Sequence, residues 1–146
     1  MPKHKMINQA DIGDFGERFM QFRHKPKEAI RHLKRMKRGE CIAALHRDDI
    51  GDIDIVWGEN DPKTNKGFGL KHIIGKHGAE IKRLGFEVED FIPIVVQFGE
   101  LKKAAQADKI LLESKMFRVV ILVSWAGKKK TFLLTAFDLR KKPTSK

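Results

Sequence analysis

Tyrosine is absent from this 146-residue chain, cysteine occurs once, and no apolar run approaches the length of a membrane span. Each absence removes a class of explanation. Without tyrosine, chemistry that depends on a phenol is excluded. The lone Cys41 rules out an intrachain disulfide and fits a reducing compartment or simply a core position. A membrane helix needs ~18 or more consecutive apolar residues, and the opening Met1-Pro2-Lys3-His4-Lys5 has no apolar leader core. The expectation is therefore a cytoplasmic protein with no membrane partner. Cys-x-x-Cys, His-x-x-x-His and His-Glu-x-x-His are all missing, so neither a metal nor another cofactor is expected.

What the chain has in excess is positive charge. Thirty basic residues oppose nineteen acidic ones, for a net charge of +11 and a pI near 9.9. Such an excess favours polyanions, with nucleic acid first and an anionic membrane or acidic protein second. Hydrophobic residues make up 41% of the chain. A single domain of this length buries roughly 70% of its unfolded surface, enough for a sizeable core.

Hydrophobic periodicity and turn residues divide the chain. Residues 1–25 are a mixed N-terminal extension in which Asp11, Gly13 and Gly16 interrupt any long helix. Pro26 opens a helix expected to run to Arg38 and stop at Gly39, with Arg31, Lys34, Arg35 and Arg38 on its solvated side. Strands are expected at 41–46 and 52–57, where Asp52/Ile53/Asp54/Ile55 alternates with period two between a wet and a buried face. Residues 58–67 are turn-rich, and 69–84 carry the apolar stripe of a helix. Residues 88–98 fit helix or strand; Asp90 as a cap and Pro93 in a first turn favour helix. A short strand at 110–113 precedes a hairpin of 117–125 with 130–138. A two-residue Gly127-Lys128 turn would set Val120 opposite Thr135 and Arg118 opposite Phe137. One face would then hold Phe117, Val119, Ile121, Val123, Trp125, Phe132, Leu134 and Ala136, and the other Arg118, Ser124, Thr131 and Thr135. Residues 140–146 read as a basic tail.

The segment Gly67-Phe68-Gly69-Leu70-Lys71-His72-Ile73-Ile74-Gly75-Lys76-His77-Gly78 stands out, because it sets two histidines among lysines and glycines. Imidazole exchanges protons near neutral pH, and neighbouring Lys71 and Lys76 disfavour its charged form. On a regular α-helix, however, five residues subtend about 140°. His77 would lie on the apolar stripe and His72 nearly opposite, as a core and a surface histidine. They meet only if Gly69, Gly75 and Gly78, each costing ~1 kcal/mol in a helix interior, break the regularity. His4, His24, His32 and His46 are most simply surface residues.

The Asp52-to-Gly58 strand end, the Gly69-to-His77 segment and the terminal Phe132-Leu133-Leu134-Thr135-Ala136-Phe137 together resemble the nucleases of the barnase–EndoU–colicin–RelE class, in its phage-associated and polymorphic-toxin branch. The resemblance covers about residues 26–139. It implies an α+β fold, with N-terminal helices packed on a small antiparallel β-sheet that ends in a long C-terminal hairpin. It further implies a metal-independent endoribonuclease acting by 2′-hydroxyl attack to leave a 2′,3′-cyclic phosphate, working as a phage or toxin effector delivered into a target cell's cytoplasm. His72 and His77 match the class's central histidines, and Thr135 its hydroxyl residue in the last strand. Arg118 is the candidate basic strand residue. Lys71, Lys76, Ser124 and Lys128 are the candidate substrate-binding residues. RNA and an acidic immunity or antitoxin protein are the implied partners, and the oligomeric state is left open. The alternative reading is a non-catalytic nucleic-acid-binding or phage interaction module on the same fold.

Overall fold

The computed structural model describes residues 12–141. Residues 1–11 and 142–146, which include His4 and nearly all of the expected basic tail, lie outside the described residues.

The chain forms an α+β domain in which three helical segments pack on a mostly antiparallel sheet ended by a C-terminal hairpin. Strands β1 (Ile12–Gly13) and β2 (Gly16–Phe19) precede helix α1 (Pro26–Met36), and β3 (Glu40–Arg47) pairs antiparallel with β4 (Gly51–Val56). A two-stranded ribbon of β5 (Glu59–Asn60) and β6 (Gly67–Phe68) occupies the turn-rich segment. The histidine segment follows as α2 (Gly69–His72), a π-helical stretch (Ile73–His77) and α3 (Gly78–Arg83). Helix α4 (Val88–Phe98) leads to β7 (Glu100–Lys102), β8 (Lys109–Glu113), β9 (Phe117–Trp125) and β10 (Lys128–Asp138). The eight-stranded sheet has the order β1-β2-β3-β4-β10-β9-β8-β7. Two neighbours run parallel, β2 with β3 and β4 with β10. The segment before Pro26 thus contributes strands to the same sheet.

Helix α1 begins as its sequence dictates, with Pro26 where a missing N–H costs nothing. It buries Ala29, Ile30 and Leu33 and ends at Met36, short of the expected Arg38. Lys37 is the left-handed C-cap (φ 56°) and donates its N–H to the Leu33 carbonyl, while Gly39, two residues on, is also at positive φ (82°). Helix α4 covers the expected 88–98, but Asp90 is not its cap. Glu87 is its cap, and Asp90 closes a capping box by accepting the Glu87 N–H at 2.8 Å. Pro93 therefore sits inside the helix instead of in its first turn.

In β3–β4 the period-two reading holds for the core side, where Ile53 and Ile55 are fully buried. The other side is not uniformly wet, because Asp54 is held 2.7 Å from Lys130 on β10. Two apolar clusters flank the sheet. The larger joins Ile30, Leu33, Ile53, Ile73, Val95, Phe117, Ile121 and Leu133, with Phe91 of α4 stacked on Phe117 at 3.9 Å. The smaller gathers Val56, Leu122 and Phe132 beneath Phe15, Phe68 and Trp125.

The C-terminal hairpin turns one residue earlier than expected. Ala126 (φ 52°) and Gly127 (φ 79°) form the two-residue loop, since Lys128 pairs with Trp125. Both positions need positive φ, the requirement of a type I′ turn. Two bulges in β10 then restore the expected register, so Thr135 does oppose Val120 and Phe137 does oppose Arg118. Each bulge changes which face the strand presents. Leu133 consequently joins the main core, whereas Phe132, Leu134 and Trp125 belong to the smaller cluster instead of the face expected for them.

Candidate active site

The segment 69–83 is helical but not uniform. In its π-helical stretch the hydrogen bonds run i to i+5, so residues five apart share a face, as residues four apart do in an α-helix. This overturns the expected separation of the two histidines. The His72 and His77 rings meet edge-on with centroids 6.0 Å apart. His72, expected at the surface, is 7% exposed.

Each ring has a defined environment. His72 donates from Nδ1 to Asn60 Oδ1 at 2.9 Å, which leaves Nε2 as the basic nitrogen of the neutral ring. Burial lowers the His72 pKa, and His77 and Lys76 push it the same way. Burial is also the largest influence on His77 and lowers its pKa; Glu80 opposes this, while Lys76 adds to it. The Glu80 carboxylate stands 3.4 Å from His77 Nδ1. That contact raises the His77 pKa against the burial, and the buried Nδ1 has no shorter partner among the described residues.

Strand β10 supplies the facing wall. The Phe137 ring lies 5.5 Å from the His77 ring. Thr135, two residues earlier in regular pairing, shares that face. Its buried hydroxyl has no partner among the described residues. Arg118, opposite Phe137, sits over that ring at 5.9 Å. Its guanidinium is engaged by Glu113, with Nε 2.7 Å from Oε2. Arg118 thus lies beside the candidate site with its charge already met.

The remaining candidates divide. Lys71 and Lys76 are exposed on the histidine segment itself. Ser124 and Lys128 are not brought to the histidines. Ser124 pairs with Lys129 near the hairpin tip, six residues and about 20 Å along the strand from Arg118 at ~3.3 Å per residue. Lys128 faces Asp14 at 3.6 Å.

Sequence reasoning passed over Asn60, Glu80 and Trp57. Asn60 reaches His72 because Gly75 leaves room: a Cβ there would stand 2.6 Å from Asn60 Nδ2. Asn60 also lines a cleft of about 570 Å³ with Trp57, Lys34, Lys37, Lys71 and Gly75. A histidine spacing of five, with glycine between, was the available signal for a π-helical turn.

Of the other histidines, His32 is half-buried instead of simply a surface residue. Its ring packs against Phe19 and Phe22 at 4.4 and 4.7 Å, and burial lowers its pKa. Among the described residues, His24, His46 and Asp52 form a group whose nitrogen and oxygen atoms lie within 4.8 Å of one another, close enough to share a cation. Arg23 stands 3.1 Å from the second Asp52 oxygen and opposes that use.

The domain thus brings one buried and one half-buried imidazole together beside strand β10, in a strongly basic α+β chain. A family model for phage-Barnase-EndoU-ColicinE5/D-RelE like nucleases matches residues 44–143, and the chain belongs to that family. No curated protein and no solved structure gives a significant match. No helix among the described residues is long and apolar enough to cross a membrane.

Proposed function

We propose that this nuclease-family domain is an endoribonuclease that works without a metal, using His72 and His77 as its acid–base pair. The observation that supports the reading is the contact of the two histidine rings, 6.0 Å apart, that the π-helical turn creates. Beside them the Thr135 hydroxyl is buried without a hydrogen-bond partner among the described residues, and the Glu80 carboxylate stands 3.4 Å from His77 Nδ1. Buried polar atoms without partners are rare and call for an explanation such as a catalytic role.

The environments divide the roles. His72 is neutral, fixed by Asn60 with Nε2 free, and takes the proton of the ribose 2′-hydroxyl. That oxygen attacks the adjacent phosphorus, and the 5′-oxygen leaves. His77, whose protonated form the Glu80 carboxylate favours, returns a proton to that leaving oxygen. Thr135 donates a hydrogen bond to a phosphate oxygen, while Lys71 and Lys76 offset charge on the phosphorane. The product ends are a 2′,3′-cyclic phosphate and a 5′-hydroxyl. An acidic immunity or antitoxin protein fits as a partner through the +11 charge, and action in a cytoplasm fits an RNA target.

The test is incubation of the purified protein with an RNA and the same-sequence DNA, both in EDTA. The proposal expects RNA cleavage with cyclic-phosphate ends and intact DNA, which lacks the attacking hydroxyl. DNA cleavage, or a requirement for added metal, would overturn it.

A further inference from the structure

The cleft beside Asn60 has the makings of a substrate subsite, and its construction begins with backbone. Trp57 follows the end of β4 and stitches three segments together. Its N–H donates to the Gly39 carbonyl at 2.9 Å, and its own carbonyl accepts the Lys71 N–H at 2.8 Å. Close approach is possible because Gly58 (φ 78°) and Gly69 (φ 81°) stand at the contact. A Cβ on either would fall 2.0 Å from the Phe68 carbonyl oxygen or 2.8 Å from that of Trp57. These links carry Lys37, just after α1, and Lys71, in α2, into the same cleft as the half-buried indole. A second cleft of about 420 Å³ shares the same Lys37, Trp57 and Lys71 but is also lined by Asp14, Glu17 and Glu59, which leaves the first, with no acidic residue in its lining, as the one suited to phosphate.

The charges around these clefts are not equivalent. Lys34 is held by Glu89 at 3.0 Å and Glu87 at 3.5 Å, and Arg38 by Glu17 at 3.1 Å. Lys37 and Lys71 are exposed and have no ion-pair partner among the described residues. A half-buried indole sharing a cleft with two exposed lysines combines what single-stranded nucleic acid requires: a surface on which a base stacks and cations for the flanking phosphates. A duplex, whose bases already stack on one another, cannot present one to a recessed indole. An acidic peptide would use the lysines and leave the indole idle.

We infer that Trp57 stacks a nucleobase of a single-stranded polynucleotide while Lys37 and Lys71 hold its flanking phosphates. The inference rests on the nuclease reading above and gives that site its substrate form. Asn60 lines this cleft and also accepts the His72 Nδ1–H, which links the cleft to the proposed acid–base pair.

The experiment uses a 2′-O-methyl oligouridine, whose methylated 2′-oxygen cannot attack phosphorus. In a Trp125→Phe background Trp57 is the sole indole of the chain. Saturable quenching of its emission is expected. Trp57→Ala should weaken binding, followed by oligonucleotide anisotropy, about tenfold or more. Lys37→Ala with Lys71→Ala should lower the slope of log K against log salt by about 0.7 per lost phosphate. Should Trp57→Ala fail to fold, Lys37→Glu with Lys71→Glu changes only exposed side chains and must also weaken binding. Binding that leaves Trp57 emission unchanged and ignores the lysine reversals would overturn the inference. So would equal quenching by polyglutamate, or no binding at low salt. Trp57-dependent binding without RNA cleavage would defeat the nuclease reading alone. RNA cleavage at an unaltered KM in the Lys37→Glu, Lys71→Glu protein would defeat the cleft alone.

Discussion

Gly75→Ala separates the support of His72 from ordinary helix energetics. The added Cβ would stand 2.6 Å from Asn60 Nδ2 and 3.2 Å from Asn60 Cγ, so the amide must withdraw. Its 2.9 Å hydrogen bond to His72 Nδ1 goes with it. With His72 only 7% exposed, water is a poor replacement, and an unsatisfied buried donor costs about 1–3 kcal/mol. Replacing glycine within a helix returns ~1 kcal/mol. The net loss is about 0–2 kcal/mol, which for a domain of this size lowers Tm by roughly 0–8 °C. Activity should fall much further, because His72 is no longer held with Nε2 as its basic nitrogen; the ceiling is the roughly 10²–10⁴-fold worth of acid–base assistance. The control is Gly78→Ala. There the backbone is already α-helical (φ −58°), and the new Cβ meets only Ile74 Cγ2 at 3.6 Å. That variant should keep full activity and gain up to ~1 kcal/mol. Thermal melts and RNA cleavage on both proteins decide the matter. A Gly75→Ala protein as stable and active as Gly78→Ala would refute the role given to Asn60.

Further expectations follow from other parts of the molecule. Burial lowers the pKa values of His72 and His77, so above about pH 6.5 their contribution to stability is fully present. It is lost as pH falls through that value toward their folded pKa values, where the unfolded chain binds more protons. Urea midpoints measured from pH 7.5 to 5 should therefore drop more steeply for wild type than for a His72→Gln, His77→Gln protein. Lys130→Met strands Glu40, which is 0% exposed, beside Asp54, and breaking such a buried pair costs about 3–5 kcal/mol. Denaturant melts should show this loss, with much of it recovered by adding Glu40→Gln. Cys41 is fully buried, and burial pushes its thiol up to about 12. A thiol reagent at pH 8 should label it only at the rate of unfolding, as mass spectrometry under native and denaturing conditions would show.

The order of elements was readable because each carried its own local signal. Pro26 marked a helix start, Ile53 and Ile55 a strand face, and the spacing of Leu70, Ile73, Ile74 and Ile81 a helix. Bulges were not readable. Nothing local to Lys129–Thr135 announces the two extra residues in β10, whose placement depends on pairing with both β9 and β4. For the same reason Asp54 looked like a solvent-facing aspartate, although its partner Lys130 is 76 residues away. The histidine pair was half legible. Glycines warned that the helix would not be regular, but the periodicity of 3.6 placed His72 on the wrong side. The π-helical turn reverses that, and its polar support comes from Asn60, twelve residues upstream. Trp57, Lys37 and Lys71 come together through backbone contacts at Gly58 and Gly69, which composition alone does not reveal.

The central claim is that His72 and His77 act as one acid–base unit. Single-turnover RNA cleavage in EDTA by wild type, His72→Ala, His77→Ala and the double variant tests it, with circular dichroism to confirm folding. Each single substitution should lower the rate by about 10²–10⁴-fold. The double variant should be little slower than the worse single one, because groups acting as a unit are not additive. Folded single variants that both cleave at the wild-type rate would contradict the account.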